Sequence, residues 1–114
     1  MSAVTTHVLD AANGRPAAGV VVALERSVDD GWEALAAGTT DSDGRCSTLG
    51  PEAEGMPLGT YRLTFATGDW FAAAGRETFY PYVVVTFALT DPARAHHHVP
   101  LLLSPFAYTT YRGS

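Results

Sequence analysis

The chain has 114 residues, 46% hydrophobic and 17% charged, which suits one globular domain spanning residues 1–114 and is too short for two. Its net charge of −5, with seven arginines and no lysine, argues against a nucleic-acid partner, and no apolar run reaches the length of a membrane span. The one cysteine, Cys46, can form no intrachain disulfide, and no basic segment leads into an apolar one near the N-terminus, so the expected compartment is the cytoplasm.

Val4 to Asp10 predicts a first strand, with Val8 on one face and Thr5, His7 and Leu9 on the other. Asn13-Gly14-Arg15-Pro16 marks a turn, and Gly19 to Arg26 is a Val-rich strand. Asp29-Asp30-Gly31 turns the chain into a third strand, Trp32 to Thr40. Asp41-Ser42-Asp43-Gly44 then turns it into Arg45 to Leu49. That turn has a superficial likeness to a calcium-binding loop, but the glutamate that should close such a loop is missing, and a tight turn is the simpler reading.

Gly50 to Pro57, with two prolines and two glycines, is expected to be a loop. Thr60 to Phe65 alternates cleanly, with Tyr61, Leu63 and Phe65 on one face. Asp69 as N-cap, an alanine run and Gly75 as a stop predict one short helix. Val83 to Thr90 returns to strand, with Val83, Val85, Phe87 and Leu89 on one side. After the Asp91-Pro92 turn comes a histidine-headed strand running into Leu101-Leu102-Leu103-Ser104, and Tyr108 to Arg112 makes a last short one. About eight strands at short spacing with one inserted helix describe an all-β antiparallel sandwich.

The segment His96-His97-His98-Val99-Pro100-Leu101 carries the chemistry. Along a strand, Val99, Leu101 and Leu103 share a face with His97, whereas His96 and His98 point the other way. If the Val/Leu face is core, His96 and His98 are displayed outward, as is His7 on the first strand. Histidines at i, i+2 suit a metal or a base with its orienting partner. A metal is the weaker reading, because no cysteine or carboxylate adjoins the cluster. Nucleophilic catalysis is weak too: Ser104 and Ser114 lack a G-x-S-x-G elbow, and Cys46 has the look of a small buried residue. What the residues leave is histidine as general base toward water, with Arg45 or Arg112 stabilising developing negative charge. Taken alone, that is a sandwich with an imidazole-bearing face.

Several blocks resemble one family. Thr6-His7-Val8-Leu9-Asp10, with Gly14 and Pro16-Ala17 after it, is similar to the opening signature of transthyretin-like proteins. His98-Val99-Pro100-Leu101-Leu102-Leu103-Ser104-Pro105 and the last four residues, Tyr111-Arg112-Gly113-Ser114, resemble the version found in 5-hydroxyisourate hydrolases. Thr40-Asp41, Asp43-Gly44-Arg45, Gly59 to Leu63, Phe79-Tyr80-Pro81 and the helix around Phe71 also match. The resemblance implies a transthyretin-like sandwich and hydrolysis of 5-hydroxyisourate, with His7, Arg45 and His98 catalytic and Tyr111, Arg112 and Ser114 binding substrate. It implies no metal or other cofactor, and a homotetramer built as a dimer of dimers with active sites where dimers meet. The chain departs from the family pattern at His97, where Tyr is frequent, and at Ala107, where Gly is frequent and a positive φ is the concern. A carrier of the transthyretin kind and a structural sandwich domain are the competing readings. The first predicts an apolar lining, which His7, Arg45, His98 and Arg112 do not suit.

Overall fold

The computed structural model of the chain describes residues 2–52 and 56–114. In chain order its elements are β1 (Ser2–Asp10), β2 (Arg15–Pro16), β3 (Val21–Val28), β4 (Gly31–Thr39), β5 (Arg45–Glu52), β6 (Gly59–Phe65), α1 (Thr67–Ala73), β7 (Val83–Leu89), β8 (His97–Ser104) and β9 (Ala107–Thr110). They form two sheets, as a sandwich requires. One has the order β2-β1-β8-β9 with β5 also on β1, and the other runs β4-β3-β6-β7. None of the helices among the described residues is long and apolar enough to cross a membrane.

The pairings are antiparallel except for one. β1 and β8 run parallel, from Val4 opposite His97 to Asp10 opposite Leu103. The two strands lie about ninety residues apart in sequence, so the intervening chain supplies the crossover that parallel neighbours need. This pair is the centre of the first sheet and the seat of the site.

The inner faces follow period-two alternation. Val4 and Val8 from β1, Val99, Leu101 and Leu103 from β8, Val22 and Leu24 from β3, and Tyr61, Leu63 and Phe65 from β6 are all buried. They meet in one cluster with Leu49, Phe71, Val83 and Leu89. Each fully buried Leu or Phe contributes about 1.5–3 kcal/mol, enough to fix which face of each strand turns inward. A slip of one residue in β1 would bury His7 and expose Val8.

Several boundaries differ from expectation. β5 runs on through Pro51 to Glu52, into the segment read as a loop, and residues 53–55 of that loop lie outside the described residues. Arg15–Pro16, read as a turn, pairs as a two-residue strand with Leu9 and Asp10. The helix begins at Thr67 after Ala66, with no side-chain cap, so Asp69 lies in the first turn and is not the N-cap. Its C-terminus closes as expected at Gly75, where the N–H groups of Gly75 and Arg76 reach the carbonyls of Ala72 and Phe71. Ala107 pairs with Ser104 across a tight hairpin, and no described residue other than glycine has positive φ, so alanine there meets no strain.

Candidate active site

Three neighbouring strands place polar side chains on the outer face of the first sheet. On β1, Thr5 and His7 alternate with the buried Val4, Thr6 and Val8. Antiparallel pairing sets Arg45 of β5 opposite His7, and parallel pairing sets His98 of β8 opposite Thr5. Directly paired residues project the same way, so all four side chains share one face. The buried Thr6 hydroxyl, on the other face, donates to the Val99 carbonyl (2.5 Å) and stitches the parallel pair together.

Arg45 is aimed by the turn before it. An Asp41 carboxylate oxygen accepts the backbone N–H groups of Asp43 (2.9 Å) and Arg45 (3.0 Å). These bonds, that from Arg45 foremost, hold the Asp41 carboxyl below its usual range. The loop that suggested calcium thus spends this carboxylate on its own backbone. Gly44 sits at φ +78° with the Val8 carbonyl oxygen pressed where a Cβ would stand, so the turn docks tightly on β1. Among the described residues, no group of three or more His, Cys, Asp or Glu side chains is placed to hold a metal.

The imidazoles are each held by a specific partner. His7 Nε2 lies 2.8 Å from the Asp43 carbonyl oxygen. A carbonyl only accepts, so Nε2 carries a hydrogen and neutral His7 keeps its lone pair on Nδ1. The Thr5 hydroxyl contacts two rings at once, 2.8 Å from His98 Nδ1 and 3.0 Å from His96 Nε2. It has one hydrogen to give, so at least one of the two rings presents an N–H to it. The His96 and His98 rings lie nearly parallel, 22° apart with centroids at 6.4 Å. Burial foremost, then the charge of Arg45 and those of His96 and His7, push the His98 pKa down from 6.5.

The last residues fold back onto His98. Gly113 N–H donates to the His98 carbonyl (2.8 Å), and a Cβ at position 113 would stand only 2.7 Å from His98 Cδ2. Only a residue without a side chain lets the backbone lie this close to the ring. Ser114 thereby joins Thr5, Arg45, Ser47, His96 and His98 around a cleft of about 260 Å³. Tyr111 and Arg112 line an adjacent depression shared with His97, His98 and Thr110. His7 stands opposite Arg45 in the β1–β5 register but is not among the residues that line the cleft.

Other candidates fall elsewhere. His97 is buried on the opposite face, its pKa lowered chiefly by burial and then by Arg94. Cys46 belongs to the core and only borders the cleft, its Sγ 3.8 Å from the Thr48 hydroxyl, and Ser104 lies at the far end of β8. Thr5 is the residue that the reading of candidates passed over. Its place on the His7 face was legible, but its contact with two imidazoles depends on parallel pairing.

The HIUase/transthyretin family model matches residues 4–113 of the chain. A 5-hydroxyisourate hydrolase of Mus musculus is 47% identical over 115 residues, covering 99% of this chain and 96% of the mouse protein. The solved structure of Klebsiella pneumoniae 5-hydroxyisourate hydrolase is 41% identical with a TM-score of 0.84, covering 99% of this chain and all of that one. Sea bream transthyretin in complex with thyroxine superposes with a TM-score of 0.90 at 33% identity, covering 97% and 94%.

Proposed function

The chain belongs to the HIUase/transthyretin family and is a hydrolase, and we propose that its reaction converts 5-hydroxyisourate to 2-oxo-4-hydroxy-4-carboxy-5-ureidoimidazoline by histidine-assisted attack of water. The observation that carries this reading is the gathering of His98, Arg45 and Ser114 around one cleft, with His7 opposite Arg45. Superposition on the transthyretin solved with thyroxine is no worse than on the hydrolase, at a TM-score of 0.90 against 0.84, so the fold does not choose between carrier and enzyme. The cleft's basic and hydrogen-bonding lining favours the enzyme.

In this mechanism His98 takes a proton from water, and the water oxygen bonds to a carbonyl carbon of the substrate's six-membered ring. Its lowered pKa supports the base role, since His98 is then neutral at pH 7 and free to accept. Arg45 holds the resulting oxyanion, an interaction worth about 3–4 kcal/mol when well aimed. The tetrahedral intermediate collapses, the ring C–N bond breaks, and the leaving nitrogen takes back the proton. His7, with Nε2–H anchored on Asp43, orients the water through Nδ1. Tyr111, Arg112 and Ser114 bind the polar edge of the heterocycle. No step calls for a metal or other cofactor.

We also assign a homotetrameric, cytoplasmic state to this single domain. β7 and β9 end their sheets with open edges, and Phe79, Phe106, Tyr108 and Tyr111 leave aromatic surface exposed near the second of these. A fully active monomer in sedimentation would contradict that assignment.

The test of the reaction is the ultraviolet decay of 5-hydroxyisourate generated in place by urate oxidase. Wild type, His98→Asn and Arg45→Gln are compared with an enzyme-free control, because the substrate also decays unaided. Acceleration by wild type, lost in both variants, is expected. Equal decay in all four samples refutes the hydrolase.

A further inference from the structure

We propose that Thr5 and His96 are positioning residues for His98, the Thr5 hydroxyl setting the His98 tautomer and passing a proton between the two rings. The inference rests on the reading of His98 as the base. Its geometric ground is independent of it. The two nearly parallel imidazoles reach the same hydroxyl at 2.8 and 3.0 Å, and that hydroxyl belongs to a residue only 8% exposed. Thr5 stands directly opposite His98 in the parallel register, so the sheet itself fixes the hydroxyl's position. His97 faces the core, which leaves His96 and His98 side by side on the outer face.

One arrangement of hydrogens serves catalysis. His98 Nδ1–H donates to Thr5 Oγ1, and the Thr5 O–H donates to His96 Nε2. Neutral His98 then has its lone pair on Nε2, the nitrogen not engaged by Thr5. When water loses a proton to Nε2, the Nδ1 proton moves to Thr5 Oγ1 and the threonine's own proton moves to His96 Nε2. His98 remains neutral in its other tautomer, and the positive charge rests on His96. The same hops in reverse return the proton through His98 to the leaving nitrogen. The charged or titratable groups around His98 are Arg45 from β5, His7 from β1 and His96 beside it, with Tyr111 and Arg112 of the tail in the adjoining depression.

The experiment compares Thr5→Val, Thr5→Ser and His96→Phe with wild type in the 5-hydroxyisourate decay assay, alongside 15N-histidine NMR of the same proteins. Valine keeps the shape of threonine without its hydroxyl, and phenylalanine keeps a stacked ring without nitrogens. Thr5→Val and His96→Phe should each lower kcat about 10- to 100-fold, with KM within about threefold of wild type. Thr5→Ser should return kcat to within about threefold of wild type. NMR should find His98 as the Nδ1–H tautomer in wild type, shifting toward Nε2–H in Thr5→Val. Wild-type kcat in a folded Thr5→Val, or a Thr5→Ser as slow as Thr5→Val, overturns the relay while leaving the hydrolase intact. Absence of acceleration by wild type refutes the hydrolase and the relay together, and His98 as Nε2–H in wild type removes the relay alone.

Discussion

Replacing Gly113 with alanine tests whether the last residues act through His98. The new methyl group would stand 2.7 Å from His98 Cδ2 and 3.3 Å from its Cβ and Cγ. Carbon atoms settle at about 3.5–4.0 Å, so relief takes a displacement of roughly 1 Å. Either the ring swings away and loses its 2.8 Å bond to Thr5, or the backbone lifts and loses its 2.8 Å bond to the His98 carbonyl, withdrawing Ser114 from the cleft. Gly113 does not have positive φ, so the backbone itself accepts alanine and the effect isolates this contact. A 1 Å misplacement costs on the order of 100-fold in rate. The fold loses about one hydrogen bond, near 1 kcal/mol. We therefore expect kcat/KM to fall about 100-fold in the decay assay while urea unfolding shifts by about 1 kcal/mol. A Gly113→Ala protein within about threefold of wild-type activity would refute the idea that this tail is aimed by its contact with the ring.

Four further outcomes follow from named residues. Because the His98 pKa is lowered below 6.5, the acid-side decline of kcat/KM should have its midpoint below pH 6.5; a decline centred above 6.5 contradicts the base assignment. The same shift, shared by His97, means that the unfolded chain takes up protons first, so the contribution of the two rings to stability is full above 6.5 and is lost as pH falls below it through the lower folded values, measurable by urea unfolding at about pH 7.5 and 5.5. Arg76→Ala should destabilise by about 3 kcal/mol, because Arg76 pairs at 2.8 Å with the buried Asp10 carboxylate and would leave that charge short of its cation; a loss under about 1 kcal/mol in the same unfolding assay argues that Asn13 alone satisfies it. Thr67→Val should stabilise by about 1 kcal/mol, since the Thr67 hydroxyl is fully buried without a hydrogen-bond partner among the described residues, and a lower Tm would show that it is satisfied in solution.

Alternation made the strand faces legible. Tyr61, Leu63 and Phe65 point inward as their spacing demands, and His97 and His98 part to opposite faces for the same reason. The helix start was not legible, because tertiary bonds take the place of a cap: Ala66 N–H reaches the Val21 carbonyl and Gly68 N–H reaches that of Pro81. No pattern within residues 66–70 announces those partners. β5 was read too short because Gly50 and Pro51 look like punctuation. The β1–β5 pairing absorbs them with irregular register near Ser2 and Val4, and Gly50 takes φ +83°. His7, Arg45 and His98 could be nominated by type and by resemblance, but their common face follows from strand pairings that no local pattern encodes.

The parallel pair explains why a hydroxyl on β1 could escape notice while the histidines did not. Strand periodicity tells which side chains share a face within one strand, and it placed Thr5 with His7 and His96 with His98. Chemistry arises only when the strands are set in register. Val4 opposite His97 puts Thr5 opposite His98, and a shift of two residues would preserve every inward and outward assignment while giving Thr5 a different partner. Burial alone tolerates such a shift. The bonds from the Thr5 hydroxyl to the His98 and His96 rings do not, because each joins one residue of β1 to one particular side chain on or beside β8. These polar contacts select the register within a hydrophobic pattern that leaves it open, and in doing so they deliver Thr5 to the ring proposed to take the proton from water.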